Sequence, residues 1–125
     1  MSIRIVRLGS RRGKDEGLRL GTVRRPPRGV KKEDYAKRDY YDVWLPELAP
    51  SAPVVKLALS GGNWATFVRR YRGEMRKPEA DRLLTLLAAL SHTTNLSVGC
   101  YCEDETRCHR SLLRQLLREH GAKLD

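Results

Sequence analysis

The segment from Cys100 to Arg110 contains most of the side chains that could carry covalent chemistry. Its three cysteines, Cys100, Cys102 and Cys108, lie within nine positions of one another, and His109 and Arg110 follow directly. Cysteines this close in sequence indicate a local site rather than disulfides that join distant parts of a fold. Three interpretations fit them: thiol catalysis, zinc binding, and burial as small apolar groups beside a polar site.

Thiol catalysis would use Cys108, at the start of the last predicted helix. The positive end of a helix lowers the pKa of a thiol, and a neighbouring cation such as Arg110 adds to the effect. His109 then serves as acid or base, as do the carboxylates of Asp104 and Glu105. Adjacent residues of a helix point in different directions, so a contact between Cys108 and His109 does not follow from their positions.

Zinc binding would use the three cysteines together with His109. Alternate residues of a strand face the same side, so Cys100 and Cys102 could share a metal. Cys108 and His109 are awkward as adjacent ligands, however, and the paired C-x-x-C spacing is absent. We therefore predict no resident metal or cofactor. If the cysteines are instead small buried groups, the working residues are Asp104, Glu105, His109 and Arg110.

A second candidate site is defined by charge. The chain has 125 residues and a formal net charge of +10, and residues 1–38 account for +9 of it, with nine Arg and four Lys against four acidic residues. Arg24, Arg25 and Arg28 flank two prolines, which hold the guanidinium groups on a stiff backbone that loses little entropy on binding. Arginine grips phosphate in a bidentate manner. The segment therefore predicts an anion-binding loop, with a Pro-rich connector as the alternative.

Hydrophobic periodicity and turn residues predict the elements that position these residues. In chain order they are a strand at 3–8, a mainly irregular segment at 9–29, a strand at 40–45, a helix at 51–59 capped by Ser51, a helix at 64–75 capped by Asn63, a helix at 78–90, a strand at 96–101 and a helix ending near 120. A strand followed by a loop and a helix is half of a βαβ unit. We predict one α/β domain over 1–125, with a mainly parallel sheet flanked by helices in a three-layer, Rossmann-like arrangement.

The hydropathy of the chain bears on its location. No run approaches the roughly 20 apolar residues of a membrane span, and arginines interrupt the N-terminal segment too often for a signal-peptide core. We therefore expect a cytoplasmic protein with no membrane partner. The sequence does not indicate an oligomeric state.

Four blocks of the sequence resemble the YeaO-like proteins of domain-of-unknown-function family 488. The blocks, in order, are Arg24–Lys32, Asp42–Ser51, the set Trp64, Phe67, Arg70, Tyr71 and Glu74, and Cys102–Ser111. The resemblance implies a small α/β protein of the bacterial or archaeal cytosol with no settled activity. It also implies that Asp104, Glu105 and His109 match the family pattern, whereas Cys108 departs from it and belongs to a Cys-His-Arg branch.

These features lead to one preferred functional prediction and two alternatives. In the preferred one, the loop of Arg24, Arg25 and Arg28 converges with His109 and Arg110 on a phosphate-bearing ligand, a nucleotide or nucleic acid, because the start of a helix attracts anions. The first alternative is a cysteine-dependent enzyme that uses Cys108 with His109 for redox or hydrolytic chemistry. The second is a zinc-binding structural or interaction module.

Overall fold

The structure is a computed structural model that describes residues 1–102 and 108–125. Asp104 and Glu105 therefore lie outside the described residues. The strands are β1 (Ile3–Arg7), β2 (Leu18–Gly21), β3 (Val43–Trp44) and β4 (Leu96–Cys100), and the helices are α1 (Ala52–Leu59), α2 (Trp64–Glu74), α3 (Pro78–Leu90) and α4 (His109–Glu119). Short 3-10 helices lie at Lys32–Asp34 and Pro46–Leu48.

The four strands form one parallel sheet in the order β1-β4-β2-β3. Strand β4 lies between β1 and β2 and is buried along its whole length. In a parallel sheet all strands end at the same edge, so Cys100, at the end of β4, lies beside the segments that follow β1 and β2. This edge is where α/β proteins usually bind ligands.

One face of the sheet packs on the helices. Ile3, Leu20, Leu96 and Val98 point to this face and join the main apolar cluster, which also takes in residues from α1 to α4. Burial of such side chains removes apolar surface from water and provides most of the stabilisation. The buried Tyr71 of α2 crosses this layer, and its hydroxyl donates to the carbonyl of Leu48 at 2.7 Å.

The opposite face is covered by the segments 8–17 and 35–42 and contains a buried ion pair. Arg19 of β2 is 0% exposed. Its guanidinium donates to both carboxylate oxygens of Glu16 at 2.7 and 2.8 Å and to the carbonyls of Ser10 and Asp39. The hydroxyl of Ser97 donates to the same carboxylate at 2.8 Å. Burial raises the pKa of Glu16, but the bonds from Arg19 and Ser97 outweigh it and lower that pKa to about 2.

The predicted α/β class and parallel sheet are confirmed, and the arrangement is that of a three-layer α/β fold. The segment 9–29 is mainly irregular as predicted, but it contains the four-residue strand β2, which was not predicted from the sequence. The strand predicted at 40–45 includes only Val43–Trp44. The ring of Tyr41 packs against Gly21 of β2, and Tyr41 is not part of the strand. Asn63 caps α2 as expected, whereas Ser51 makes no side-chain cap bond. None of the described helices has the length and apolar character needed to span a membrane.

Candidate functional site

The three cysteines meet at the edge where β4 ends and α4 begins. Cys100 is the last residue of β4, Cys102 follows two positions later, and Cys108 is the N-cap residue of α4 in an extended conformation. Their Sγ atoms all lie within 4.8 Å of one another. Cys100 and Cys108 are buried with their Sγ atoms 2.8 Å apart, whereas Cys102 is exposed.

The three thiols have different acidities. Hydrogen bonds from Cys100 and Cys108, aided by the nearby charge of Arg110, lower the pKa of Cys102 well below its ordinary value. The hydrogen bond to Cys102, the bond to Cys108 and burial all raise the pKa of Cys100. For Cys108, the bond to Cys100 lowers the pKa, but the bond to Cys102 and burial outweigh it and raise the pKa to about 11. These directions favour Cys102 as the thiolate of the cluster and run against the expectation that the start of α4 ionises Cys108.

His109 is the first residue of α4 and is buried beside the cluster. Its Nε2 lies 2.7 Å from the carbonyl oxygen of Thr22. Because a carbonyl only accepts, Nε2 carries the hydrogen, and Nδ1 is an acceptor. That Nδ1 lies 3.6 Å from Sγ of Cys108. The two adjacent residues do touch, because the cap residue Cys108 has not yet entered the helix. Burial lowers the pKa of His109 to about 4, so the ring is neutral.

The buried Arg110 supports the cluster from the other side. Its Nη2 donates to the carbonyl of Cys102, and its Nε has no hydrogen-bond partner among the residues that the structure describes. A charged group in this position stabilises a thiolate nearby. Arg110 therefore acts on the Cys102 backbone and on its sulfur charge, and it is 4% exposed, so it offers little surface to a ligand from solution.

The three arginines of the Arg24–Arg28 loop differ in their partners. Arg24 donates to three carbonyls, those of Pro46, Ala49 and Pro50, at 3.0, 3.3 and 3.1 Å. Arg25 is exposed, and its carbonyl accepts a bond of 3.0 Å from the hydroxyl of Tyr101. Arg28 is exposed and is not among the described residues that line the cavity beside the cluster.

That cavity has a volume of about 540 Å³ and joins the two predicted sites. Its wall is mostly apolar, with contributions from Val23, Pro50, Val55 and Phe67. Its polar lining includes Arg24, Arg25, Cys102, Cys108 and His109. The size lies within the range of small-molecule sites, which are usually apolar clefts with a few polar groups.

Two parts of this site have weak signals in the sequence. The role of Cys102 was missed, although the C-x-C spacing at the end of a strand is a signal that places a second thiol just outside the sheet. The contact of Thr22 with His109 was missed as well. Thr22 accepts through its backbone carbonyl, which every residue type has, so the sequence does not indicate the contact.

The cysteine cluster is compact enough to bind a metal ion. Three thiolates suit soft or borderline ions such as Zn²⁺. Two thiolates on one tetrahedral zinc, with Zn–S near 2.3 Å, lie about 3.8 Å apart. The 2.8 Å between Sγ of Cys100 and Sγ of Cys108 is shorter. The described arrangement is that of hydrogen-bonded thiols, and a metal would have to spread them.

The fold and the site define a small parallel α/β protein with a thiol cluster at the carboxyl edge of its sheet. A family model described as the active DUF488-N3 subclade, DUF488-N3a, matches residues 3–121, and the chain belongs to the DUF488 family. The resemblance seen in the sequence is thereby confirmed. Searches of curated proteins and of solved structures each found no match.

Proposed function

We propose that this protein is a cysteine-dependent enzyme whose nucleophile is the thiolate of Cys102. The observation that carries the proposal is the arrangement of three sulfur atoms within 4.8 Å in the lining of one cavity, with Cys102 exposed and the other two cysteines buried. Buried thiols that donate hydrogen bonds stabilise the exposed sulfur as a thiolate, which is the reactive form. The family model is described as an active subclade, which favours an enzyme over an interaction module.

This proposal keeps the cysteine chemistry predicted from the sequence but moves the attacking sulfur from Cys108 to Cys102. Cys108 is buried at 3% exposure and hydrogen-bonded on two sides, by Cys100 and by Nδ1 of His109. A substrate in the cavity meets Cys102 first. In this arrangement Cys100 donates to the thiolate. The single S–H of Cys108 can donate either to the thiolate or to Nδ1 of His109, which orients Cys108 and is a positioning residue.

The ligand we propose is a phosphate-bearing molecule with an apolar body, such as a nucleotide. Arg25 is an exposed cation of the cavity lining, and the apolar wall formed by Val23, Val55 and Phe67 suits a planar or aliphatic group. Arg24 donates to backbone carbonyls, and Arg110 is buried and donates through Nη2 to the carbonyl of Cys102. We assign the anion contact mainly to Arg25, with Lys56 as a further exposed cation of the lining and Arg28 outside it.

The rate of alkylation by iodoacetamide tests the nucleophile. We expect Cys102 to react first, at a rate that stays nearly constant from pH 8 down to pH 6, because its thiolate persists well below the ordinary thiol pKa of about 8.5. Peptide mapping by mass spectrometry identifies the labelled residue. Cys102→Ser should lose the fast phase, and Cys108→Ser is the matched control that removes a buried thiol but keeps the exposed one.

In Cys108→Ser, iodoacetamide should still alkylate Cys102. The midpoint of the pH dependence of that rate should shift to higher pH, because one hydrogen-bond donor to the Cys102 sulfur is changed. Two results would contradict the proposal. One is a wild-type alkylation rate that falls tenfold for each pH unit below about 8.5, and the other is labelling of Cys100 or Cys108 before Cys102. Comparable unfolding midpoints of the two variants establish that the difference is chemical.

A further inference from the structure

We propose that hydroperoxides convert the cluster into a reversible Cys102–Cys108 disulfide, with His109 accepting the proton of Cys108. The inference rests on the proposed function to the extent that both use Cys102 as the attacking sulfur. It adds a second reaction at the same atoms, with a hydroperoxide as the oxidant.

The positions of the three sulfurs assign the first step to Cys102. All three cysteines line the cavity, but Cys102 is the exposed one, so it is the sulfur that a small oxidant reaches first. Its thiolate attacks one oxygen of the hydroperoxide, an S–O bond forms, and the O–O bond breaks. The released alkoxide or hydroxide leaves with the electron pair and takes a proton from water, and Cys102 becomes a sulfenic acid.

The surroundings of Cys108 assign the second step to that residue. The acceptor Nδ1 of His109 lies 3.6 Å from Sγ of Cys108, held there by the Nε2 bond of 2.7 Å to Thr22. The proton of Cys108 passes to Nδ1, and the resulting thiolate attacks the sulfur of Cys102. An S–S bond forms, the S–O bond breaks, and the hydroxide takes the proton from His109 to leave as water. The sum is two thiols and one hydroperoxide giving a disulfide, an alcohol or water, and water.

The backbone favours Cys108 over Cys100 as the partner. Cys100 is held in the central strand, where it is in register with Arg7 of β1 and its carbonyl accepts from the amide of Leu8 at 2.8 Å. Cys102 follows the end of β4, and Cys108 precedes the first residue of α4. A disulfide needs an S–S distance near 2.05 Å. The sulfur atoms of Cys102 and Cys108 are at most 4.8 Å apart and must move closer to bond. Both residues lie outside the helices and strands, so this movement does not require a regular element to shift.

Such a bond would protect the cluster. A sulfenic acid left unresolved is oxidised further to sulfinic acid, which ordinary thiol reductants do not reverse. A resolving thiol within 4.8 Å competes with that reaction. The nucleophile would then be stored as a disulfide and restored by an external dithiol.

The test treats the full chain with one equivalent of hydrogen peroxide and maps the product by mass spectrometry with and without dithiothreitol. We expect a Cys102–Cys108 disulfide that the reductant reverses. Cys108→Ser should stop at a Cys102 sulfenic acid that dimedone traps. Cys100→Ser, which changes one donor to the Cys102 thiolate, should form the same disulfide at a lower rate. His109→Gln should slow disulfide formation at least tenfold while sulfenic acid forms at the wild-type rate.

Three results would overturn the inference. They are a Cys100–Cys108 disulfide in the wild type, sulfinic acid without any disulfide, and a Cys100–Cys102 disulfide that forms in Cys108→Ser at the wild-type rate. Alkylation of Cys102 by iodoacetamide in the untreated protein separates the two proposals. Fast alkylation without a disulfide leaves the nucleophile in place and removes only the redox step. Slow alkylation removes the proposed function as well.

Discussion

The arginines of the Arg24–Arg28 loop differ at the scale of single residues in a way that their types do not show. Arg24 binds three carbonyls and holds the loop against the segment 46–50. Arg25 faces the cavity, and Arg28 lies outside its lining. A sequence places three cations on one stiff loop, but tertiary contacts decide which of them remains available. Of the three arginines predicted for the composite site, Arg25 is the one that is exposed and lines the same cavity as the exposed Cys102.

Replacement of Arg25 tests this assignment. We expect inorganic phosphate at millimolar concentration to slow iodoacetamide labelling of Cys102 in the wild type, because an anion held near Arg25 hinders access to the sulfur. Arg25→Ala should abolish most of that protection, whereas Arg28→Ala, which removes a neighbouring exposed cation of the same loop, should keep it. The measurement is the labelling rate against phosphate concentration at fixed ionic strength. Equal loss in both variants would point to general screening.

At the scale of elements, strand β4 shows why some of the fold follows from the sequence and some does not. Its run of apolar and small residues is typical of a buried strand, and α2, α3 and α4 have regular apolar periodicity. Strand β2 has neither signal, because the guanidinium of Arg19 is buried against Glu16 and the carbonyls of Ser10 and Asp39 rather than against apolar groups. The sequence of a four-residue strand with a buried arginine resembles a loop until its partners are known, and two of these lie 9 and 20 positions away along the chain.

Gly99 of β4 is required by the close approach of β1. A Cβ added at this position would lie 2.3 Å from the carbonyl oxygen of Val6. Gly99→Ala should therefore destabilise the protein by about 1–3 kcal/mol, the usual cost of overpacking. Gly73→Ala in α2 is the matched control, since no atom lies within 4 Å of its added Cβ. It should be neutral or stabilise by up to about 1 kcal/mol through higher helix propensity.

Urea unfolding followed by circular dichroism measures both variants. The midpoint should fall for Gly99→Ala and stay or rise for Gly73→Ala. An unchanged midpoint for Gly99→Ala would mean that β1 and β4 are farther apart than the structure places them.

At the scale of the whole molecule, the buried groups set the response to acid. The folded state keeps His109 neutral, with a pKa of about 4 against an ordinary value of 6.5. It keeps Glu16 ionised, with a pKa of about 2 against 4.5. In both cases the unfolded chain binds a proton that the folded chain does not. Stability should therefore fall as the pH drops, first between 6.5 and 4 through His109 and then between 4.5 and 2 through Glu16.

Each group should contribute a loss of about 3 kcal/mol over its window, from about 1.4 kcal/mol for each pKa unit. Thermal unfolding from pH 8 to pH 3 measures the fall. His109→Gln should flatten the curve above pH 4.5 and leave the lower part. The pair of His120 with Asp81, at 2.9 Å, acts in the opposite direction because it raises the pKa of His120, but as a partly exposed pair it contributes less than about 1 kcal/mol. A midpoint that does not change between pH 7 and pH 4 would contradict the burial of a neutral His109.

The candidate site as a whole was predictable in place but not in detail. The sequence puts the cysteines, His109 and the Arg24–Arg28 loop at loops that follow or precede strands and helices, and the structure brings them around one cavity. Which thiol is exposed depends on where β4 ends and α4 begins, to within one residue, and such boundaries are the least certain part of any assignment. Asp104 and Glu105 lie outside the described residues, and their part in the site stays a prediction.

Strand β4 also keeps the buried ion pair and the thiol cluster apart in space. Ser97, near the start of β4, completes the buried ion pair on one face, and Cys100, at its end, belongs to the thiol cluster. Three residues of strand correspond to about 10 Å. We therefore expect substitutions at the cysteines to leave the buried ion pair of Arg19 and Glu16 intact. The cysteines of the cluster can then be replaced one at a time without changing that part of the fold.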